Sequence, residues 1–519
     1  MQFTSRSVML SPSRLRGRFL NRFTAFLLAV ITLCLPLATG KCAEQSTSVK
    51  APNIVLVFID DMGWSDLGCY GSRLYETPNI DRLAKRGMRF TNAYAACTVC
   101  SPSRAALLTG KYPARLHLTD WIAGHRPKNP KMLIPDWTKR LVPNETTLAE
   151  RLKSAGYATA HVGKWHLGDE ACYPQHQGFD INIGGDHWGQ PASYFWPYKS
   201  KPRGKRAARQ TPMPPGGQKG EYLTDRLTDE SMRWIREKKD GPFFIYLAHY
   251  AVHTPLQAKP ELVEYYRKKI EKSGPIDGQG CAVYAAMVHS VDESLGRITD
   301  ELARLKIADN TIVIFSSDNG GLILPFCKGR PVTANLGLRA GKGSAYEGGV
   351  RVPLIVDWPG VVRPGSTCDV PAIGVDVFPT VLDMAGVGNG GVLDGRQEID
   401  GESVDGESLV PLLKQTGTLE RDAIYWHYPH YHPGGAKPYS AVRQGDLCLI
   451  EFFGDKRIEL YNLKEDLGQK TNLVERMPEK AKQLHRKLAA WRKSVGAQLP
   501  TPNPDYDLRK KTQGRPWLR

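Results

Sequence analysis

Beyond its first forty residues the chain has no hydrophobic run long enough to span a bilayer, which argues against stable membrane insertion of the body of the protein. Cysteine is sparse: Cys34, Cys42, Cys69, Cys97, Cys100, Cys172, Cys281, Cys327, Cys368 and Cys448 are scattered over 519 residues, a chain too large to need a disulfide framework. Some of them can pair after export, but spacing alone leaves the connectivity open. Cys97 and Cys100 form a CxxC, compatible with a redox pair or half of a zinc site. No second CxxC or nearby histidine pair completes it, so zinc is not expected. Internal repeats are absent. So is any recognisable nucleic-acid module, although the formal net charge is +17. That charge suits a polyanionic partner, whether nucleic acid, anionic membrane or sulfated polysaccharide, and equally a solvated basic surface; charge by itself does not choose. Its densest run, 199–219, is broken by proline and glycine and reads as an exposed loop. Acidic residues are missing from the first forty positions, where Arg6, Arg14, Arg16, Arg18 and Arg22 precede an apolar stretch at 23–37 and the small residues Ala38 and Gly40. This is the pattern of a signal peptide over residues 1–40. Pro36 and the short length argue against a permanent anchor, and Lys41 before Cys42 argues against a lipoprotein signal. A secreted, periplasmic or lysosome-like lumenal destination follows.

What the chain does contain is a strand-then-helix rhythm. Residues 53–59 are a continuous β-branched and aromatic run, as expected of a strand buried on both faces. Thr77-Pro78 predicts a helix start with threonine as N-cap, and Thr147 with Glu150 predicts a capping box. Further strands are expected near 157–162, 243–247, 311–315 and 353–356, alternating with helical patterns such as 283–305. The predicted class is α/β: a large, mainly parallel sheet sandwiched by helices over residues 50–415. Beyond about 415 the texture shifts to aromatic short strands and one last helix opened by Pro478, with Leu484, Leu488 and Trp491 on one face. Residues 416–519 are therefore read as a smaller α+β domain.

The chemically loaded residues follow the strands. Asp60 and Asp61 come after the first, Lys164 and His166 after the second, His253 after the third, and Asp318 with Asn319 after the fourth. Open α/β sheets build their sites at the carboxyl ends of strands, so four such coincidences predict one site. Asp60, Asp61, Asp318 and Asn319 make a hard oxygen set suited to Ca²⁺ or Mg²⁺. An isolated Asp-Asp after a strand is often only a turn or a cap, but a second Asp-Asn after another strand of the same sheet weakens that reading. Lys342 lies between glycines, which permit close approach of the backbone.

The run Cys100-Ser101-Pro102-Ser103-Arg104, leading through Ala105-Ala106-Leu107-Leu108 to Thr109-Gly110, resembles the signature of the formylglycine-type sulfatases in the alkaline-phosphatase-like superfamily. Asp60-Asp61, Gly163-Lys164-Trp165-His166, His253-Thr254-Pro255, Ser317-Asp318-Asn319-Gly320 and Gly341-Lys342-Gly343 match the other segments of that family, in order, over nearly the whole mature chain. The resemblance implies that Cys100 is oxidised to formylglycine by a formylglycine-generating enzyme. It implies a metal held by Asp60, Asp61, Asp318, Asn319 and the residue-100 side chain. Attack on sulfur would come from the hydrated aldehyde, with Arg104 holding it and Lys164 and Lys342 covering the sulfate oxygens. His253 would protonate the leaving alcohol, with Lys342 as the other candidate, and His166 would take the second hydroxyl proton so that sulfate leaves. His161, His249 and His289 lack matching context and receive no role.

Substrate is read from two aromatic segments, 184–198 and 425–432. His187, Trp188 and His430 are the residues expected to line a sugar pocket, although ordinary loop packing explains such segments equally well. The general likeness is to arylsulfatase A-like and N-acetylgalactosamine-sulfatase-like enzymes, and a closed pocket would make the enzyme exo-acting on sulfated carbohydrate. A formylglycine-dependent phosphonate monoester hydrolase or phosphodiesterase is the alternative within the superfamily. A non-catalytic binder of sulfated glycans is the alternative outside it, and would be expected to have lost Cys100, Lys164 or a metal-site aspartate. None of these is lost.

Overall fold

A computed structural model describes residues 50–202, 207–388, 390–393, 396–399 and 401–510. The signal peptide expected at residues 1–40 lies outside the described residues. Among the described residues no helix is long and apolar enough to cross a membrane.

Eight strands form the central sheet: β1 (Asn53–Ile59), β2 (Met88–Phe90), β3 (Ala158–Gly163), β4 (Ile181–Ile183), β5 (Phe243–Ala248), β6 (Thr311–Ser317), β7 (Leu354–Asp357) and β8 (Ser366–Cys368). Their spatial order is β8-β2-β7-β6-β1-β5-β3-β4. All run parallel except β7, which is antiparallel to both of its neighbours. The central strand shows why an unbroken apolar run was needed. Val55, Val57 and Ile59 enter one core cluster and Ile54, Leu56 and Phe58 the other, so both faces of β1 are dry.

Helices α1 (Pro78–Arg86), α4 (Leu223–Lys238), α5 (Pro260–Ser273) and α6 (Ala282–Arg304) cover the first face. Helices α2 (Cys100–Thr109), α3 (Leu148–Ser154) and α7 (Val377–Ala385) cover the second. The capping box at Thr147 and Glu150 is present in both directions. Thr77 does not cap α1: its hydroxyl accepts from Gly68 N at 2.8 Å and donates to Asp81 at 3.1 Å, so it ties the preceding turn to the helix. Cys281, immediately before α6, is disulfide-bonded to Cys327 on the long loop after β6, a pairing that spacing could not supply.

A second, four-stranded antiparallel sheet follows, with β9 (Ile424–Tyr428), β10 (Tyr439–Gln444), β11 (Leu447–Phe452) and β12 (Arg457–Asn462) in sequential order. Helix α8 (Pro478–Ser494) buries Leu484, Leu488 and Trp491 beneath it, as the 3.6-residue spacing predicts. The core under this sheet also takes in Tyr94, Cys97, Val99 and Ala106, so the C-terminal layer packs directly on the start of α2.

Candidate active site

Register brings the site together. β1 and β6 pair with Ile59 opposite Ser317, so Asp60-Asp61 and Asp318-Asn319 leave the sheet side by side. β5 pairs with β1 through Ala248 and Phe58, and with β3 through Ala248 and Gly163, which places Lys164 and His166 at the same level. Asp61 and His166 both adopt positive φ, 63° and 59°, turning the chain sharply where it leaves its strand. Cys100 is the first residue of α2, where backbone N–H groups lack helical partners and favour an anion.

Every carboxylate here is buried. Lys164 Nζ donates to Asp60 Oδ2 at 2.7 Å, and Lys342 Nζ donates to Asp61 Oδ1 at 2.5 Å. Arg104 donates to Asp318 Oδ2 from Nε at 3.0 Å and Nη2 at 2.8 Å, and from Nη1 to the Lys164 carbonyl at 3.2 Å. Asn319 Nδ2 donates to Asp61 Oδ1 at 2.8 Å. Three acceptors remain with no hydrogen-bond partner: Asp60 Oδ1, Asp61 Oδ2 and Asn319 Oδ1. Buried polar atoms are rarely left so. One ligand atom each from Asp60, Cys100 and Asp318 lies within 4.8 Å of the others, as do those of Asp60, Asp61 and His253. Hard, unsatisfied oxygens on Asp60, Asp61 and Asn319, with Asp60 shared by both ligand groups, fit a divalent cation of the calcium or magnesium type. Burial pushes the Asp60 carboxyl well above its ordinary range despite Lys164, with Asp318 and Asp61 adding to the effect. Asp61 is held below that range because Lys342 and His253 outweigh its burial, and Asp318 because Arg104 and Lys164 do.

Two histidines face the same point. His166 Nε2 lies 2.6 Å from the Ile122 carbonyl, which can only accept, so Nε2 carries the hydrogen and Nδ1 presents a lone pair 3.4 Å from Cys100 Sγ. Burial, with Lys164 beside it, keeps His166 neutral. His253 Nδ1 likewise donates to the Thr254 carbonyl at 2.8 Å, leaving Nε2 3.5 Å from Asp61 Oδ2. Its pKa is pushed down to about 3 by burial, against the pull of Asp61.

The aromatic segments border this cluster unevenly. His166 N donates to the Asp186 carbonyl at 3.0 Å, and a Cβ at Gly189 would sit 2.4 Å from the His166 ring, so residues 184–189 lie against that histidine. Trp188 is 43% exposed, with the His187 ring 4.7 Å away. His430 is fully buried instead, its Nε2 bonded to the Thr119 hydroxyl at 2.8 Å and its ring against Trp137. The histidine of that segment nearest the cluster is His432: a Cβ at Gly343 would fall 2.1 Å from its Nδ1, beside Lys342. Sequence reading missed His432 because β9 ends at Tyr428, after which the two-residue alternation no longer says which side chain faces where. It also missed Asp120, a buried carboxylate in the loop that supplies the Ile122 carbonyl, which accepts from the Tyr428 hydroxyl at 2.7 Å.

Comparison with known proteins agrees with this geometry. The model of the family described as Sulfatase matches residues 52–387, and that described as N-sulphoglucosamine sulphohydrolase, C-terminal, matches residues 341–494. A protein of Formosa agariphila named Sulfatase is 32% identical, the match covering 88% of this chain and 92% of the relative. Human N-acetylgalactosamine-6-sulfatase is 35% identical over 73% of this chain and 69% of its own. Among solved structures, Ps i-CgsB in complex with k-i-k-neocarrahexaose superposes with a TM-score of 0.68 at 28% identity, over 85% of this chain and 93% of that one. A protein solved with its substrate, D-glucosamine-2-N,6-O-disulfate, gives a TM-score of 0.65 at 25% identity, over 86% and 98% of the two chains. Motif order, register and matched length lead to one assignment: the chain belongs to the sulfatase family, enzymes that hydrolyse sulfate esters.

Proposed function

We propose that this sulfatase is an exported, calcium-dependent enzyme that removes sulfate from the ends of sulfated carbohydrates, with Cys100 converted to formylglycine by a modifying enzyme. The observation that carries the reading is the set of three orphaned buried oxygens, Asp60 Oδ1, Asp61 Oδ2 and Asn319 Oδ1, where Asp60 belongs both to the ligand group with Cys100 and Asp318 and to that with Asp61 and His253. When present, formylglycine supplies an oxygen nucleophile that is regenerated each cycle, and the cation lowers the pKa of that oxygen.

The chain's own groups divide the remaining work. Asp60, Asp61, Asp318 and Asn319 hold the cation, and Arg104 fixes Asp318 from behind. Lys164 and Lys342, each bonded to an aspartate, can turn their remaining N–H donors to the non-bridging oxygens of sulfate, where charge builds in the transition state. His166, neutral and with its Nδ1 lone pair towards residue 100, accepts a proton there. His253 donates a proton to the leaving oxygen. The negative sulfate ester opposes the effect of burial on that ring and favours its charged form.

Several features support a pocket and an exo mode. Asp186 and Gly189 lie against His166 and His432 lies against Gly343 beside Lys342, so each aromatic segment abuts a residue of the cluster. Solved relatives holding carrageenan and glucosamine sulfates point to sugars as the substrate class. Turnover of a panel of defined sulfated mono- and disaccharides, an intact sulfated polysaccharide, a small aryl sulfate and a phosphodiester tests the proposal. Terminal sugar sulfates should be cleaved fastest, and Trp188→Ala or His432→Ala should slow them far more than the aryl sulfate. Rapid mid-chain release, or preference for the phosphodiester, would refute it.

A further inference from the structure

Trp188, expected to line a sugar pocket, has a cationic neighbour of its own. The Arg209 guanidinium carbon lies 4.4 Å from the Trp188 ring centroid, so a cation already occupies a face of the indole. Arg209 comes from the 199–219 run and is held a second time by its Nη2, which donates to the Pro191 carbonyl at 3.0 Å. The contact with the indole and the Pro191 carbonyl together restrain the side chain, which is half-buried. Among the described residues it makes no ion pair within 4.0 Å; the nearby Asp186 carboxylate accepts from Trp188 N at 2.8 Å instead. Besides the hydrogen that Nη2 gives to Pro191, the guanidinium keeps N–H donors with no protein acceptor among the described residues, and these can bind a sulfate or carboxylate oxygen. Trp188 directly precedes Gly189, which abuts His166, so the fixed cation stands beside the catalytic cluster and separate from it.

We propose that Arg209, presented by Trp188, is a specificity site for a second oxyanion on the substrate: a further sulfate on the terminal sugar or a carboxylate on the adjoining one. The inference rests on the carbohydrate-sulfate reading above and deepens it. Trp188 here acts by holding Arg209, removing its rotamer freedom and part of its hydration before the substrate arrives. The net basic surface gathers polyanions in general, whereas this site selects the oxyanion at a set distance from the scissile sulfate.

The test is the ratio of kcat/KM for a doubly anionic to a singly sulfated substrate, with one arm using a disulfated against a monosulfated monosaccharide. A second arm uses a uronate-linked sulfated disaccharide against its neutral counterpart. Small aryl sulfate turnover normalises each preparation for active enzyme. Wild type should prefer the doubly anionic partner in one arm, which also identifies the oxyanion. Arg209→Gln should lower that ratio about tenfold or more through KM, the scale of a charge-assisted pair. Arg209→Lys should fall between them, because it keeps the charge and loses the fork. A ratio within about twofold of wild type in Arg209→Gln would overturn the proposal, as would a wild type with no preference in either arm. Aryl sulfate turnover with no sugar cleaved in any form would instead overturn the carbohydrate reading on which it stands.

Discussion

Replacing Arg104 with Met is expected to lower the melting temperature sharply in metal-free buffer, and added calcium is expected to recover most of the loss. The guanidinium is fully buried, places two N–H groups on Asp318 Oδ2 and lies 3.8 Å from Asp60 Oδ1. Without it, the only lysine or arginine side chains paired with Asp60 and Asp61 are Lys164 and Lys342, and Asp318 loses its charged partner, keeping the Asp61 N–H on Oδ1. Removing one member of a buried ion pair costs about 3–5 kcal/mol, because the other charge stays buried and unpaired. That is a large part of a typical stability of roughly 5–15 kcal/mol. At about 1 °C per kcal/mol for a folded chain of this size, the shift is on the order of 3–5 °C. A divalent cation at the orphaned oxygens supplies the charge that the variant lacks. Calcium should therefore raise the melting temperature of Arg104→Met by more than it raises that of wild type. Paired thermal scans in chelator and in calcium, on wild type and variant carrying the same state of residue 100, measure both shifts. Equal melting temperatures in chelator, or an equal lift by calcium, would refute the argument.

Four further outcomes are expected. Peptide mass spectrometry should find formylglycine at position 100 in active enzyme; Cys100→Ala should abolish turnover with the fold intact, whereas Cys97→Ala, at a buried thiol whose pKa burial pushes up, should retain activity. Chelation should inactivate the enzyme and calcium should restore it better than zinc, since the donors are hard oxygens; full recovery with zinc would contradict the assignment. His253→Ala should depress turnover of alkyl and sugar sulfates by about 10²–10⁴-fold and of aryl sulfates with good leaving groups far less, a contrast that vanishes if His253 donates no proton. Burial raises the Asp120 carboxyl to about 7, so its contribution to stability is full below pH 4 and lost as pH rises towards 7; Asp120→Asn should flatten that slope in pH-dependent thermal scans, and an unchanged slope would exclude Asp120 as its source.

Local signals were enough for the scaffold and for the nucleophile's surroundings. A dry strand must be apolar at consecutive positions, a capping box needs threonine and glutamate three apart, and α8 needs its apolar residues on one face, so these features are legible along the chain. The loaded pairs after β1 and β6 were legible for the same reason: strand ends mark the catalytic edge of a parallel sheet. Tertiary structure decided everything that depends on which distant segments meet. It paired Lys164 with Asp60 and Lys342 with Asp61, joined Cys281 to Cys327, and turned Thr77 from a cap into a tie. It buried His430 under Trp137 and brought His432 to Gly343, a choice made in an irregular loop where no periodicity exists to read. Arg209 stood in a run that reads as solvated charge, and only the fold of 184–198 against 207–210 set it over Trp188. Periodicity reports the environment of a residue within its own element; contacts between loops follow from how whole elements pack, and no local pattern encodes them.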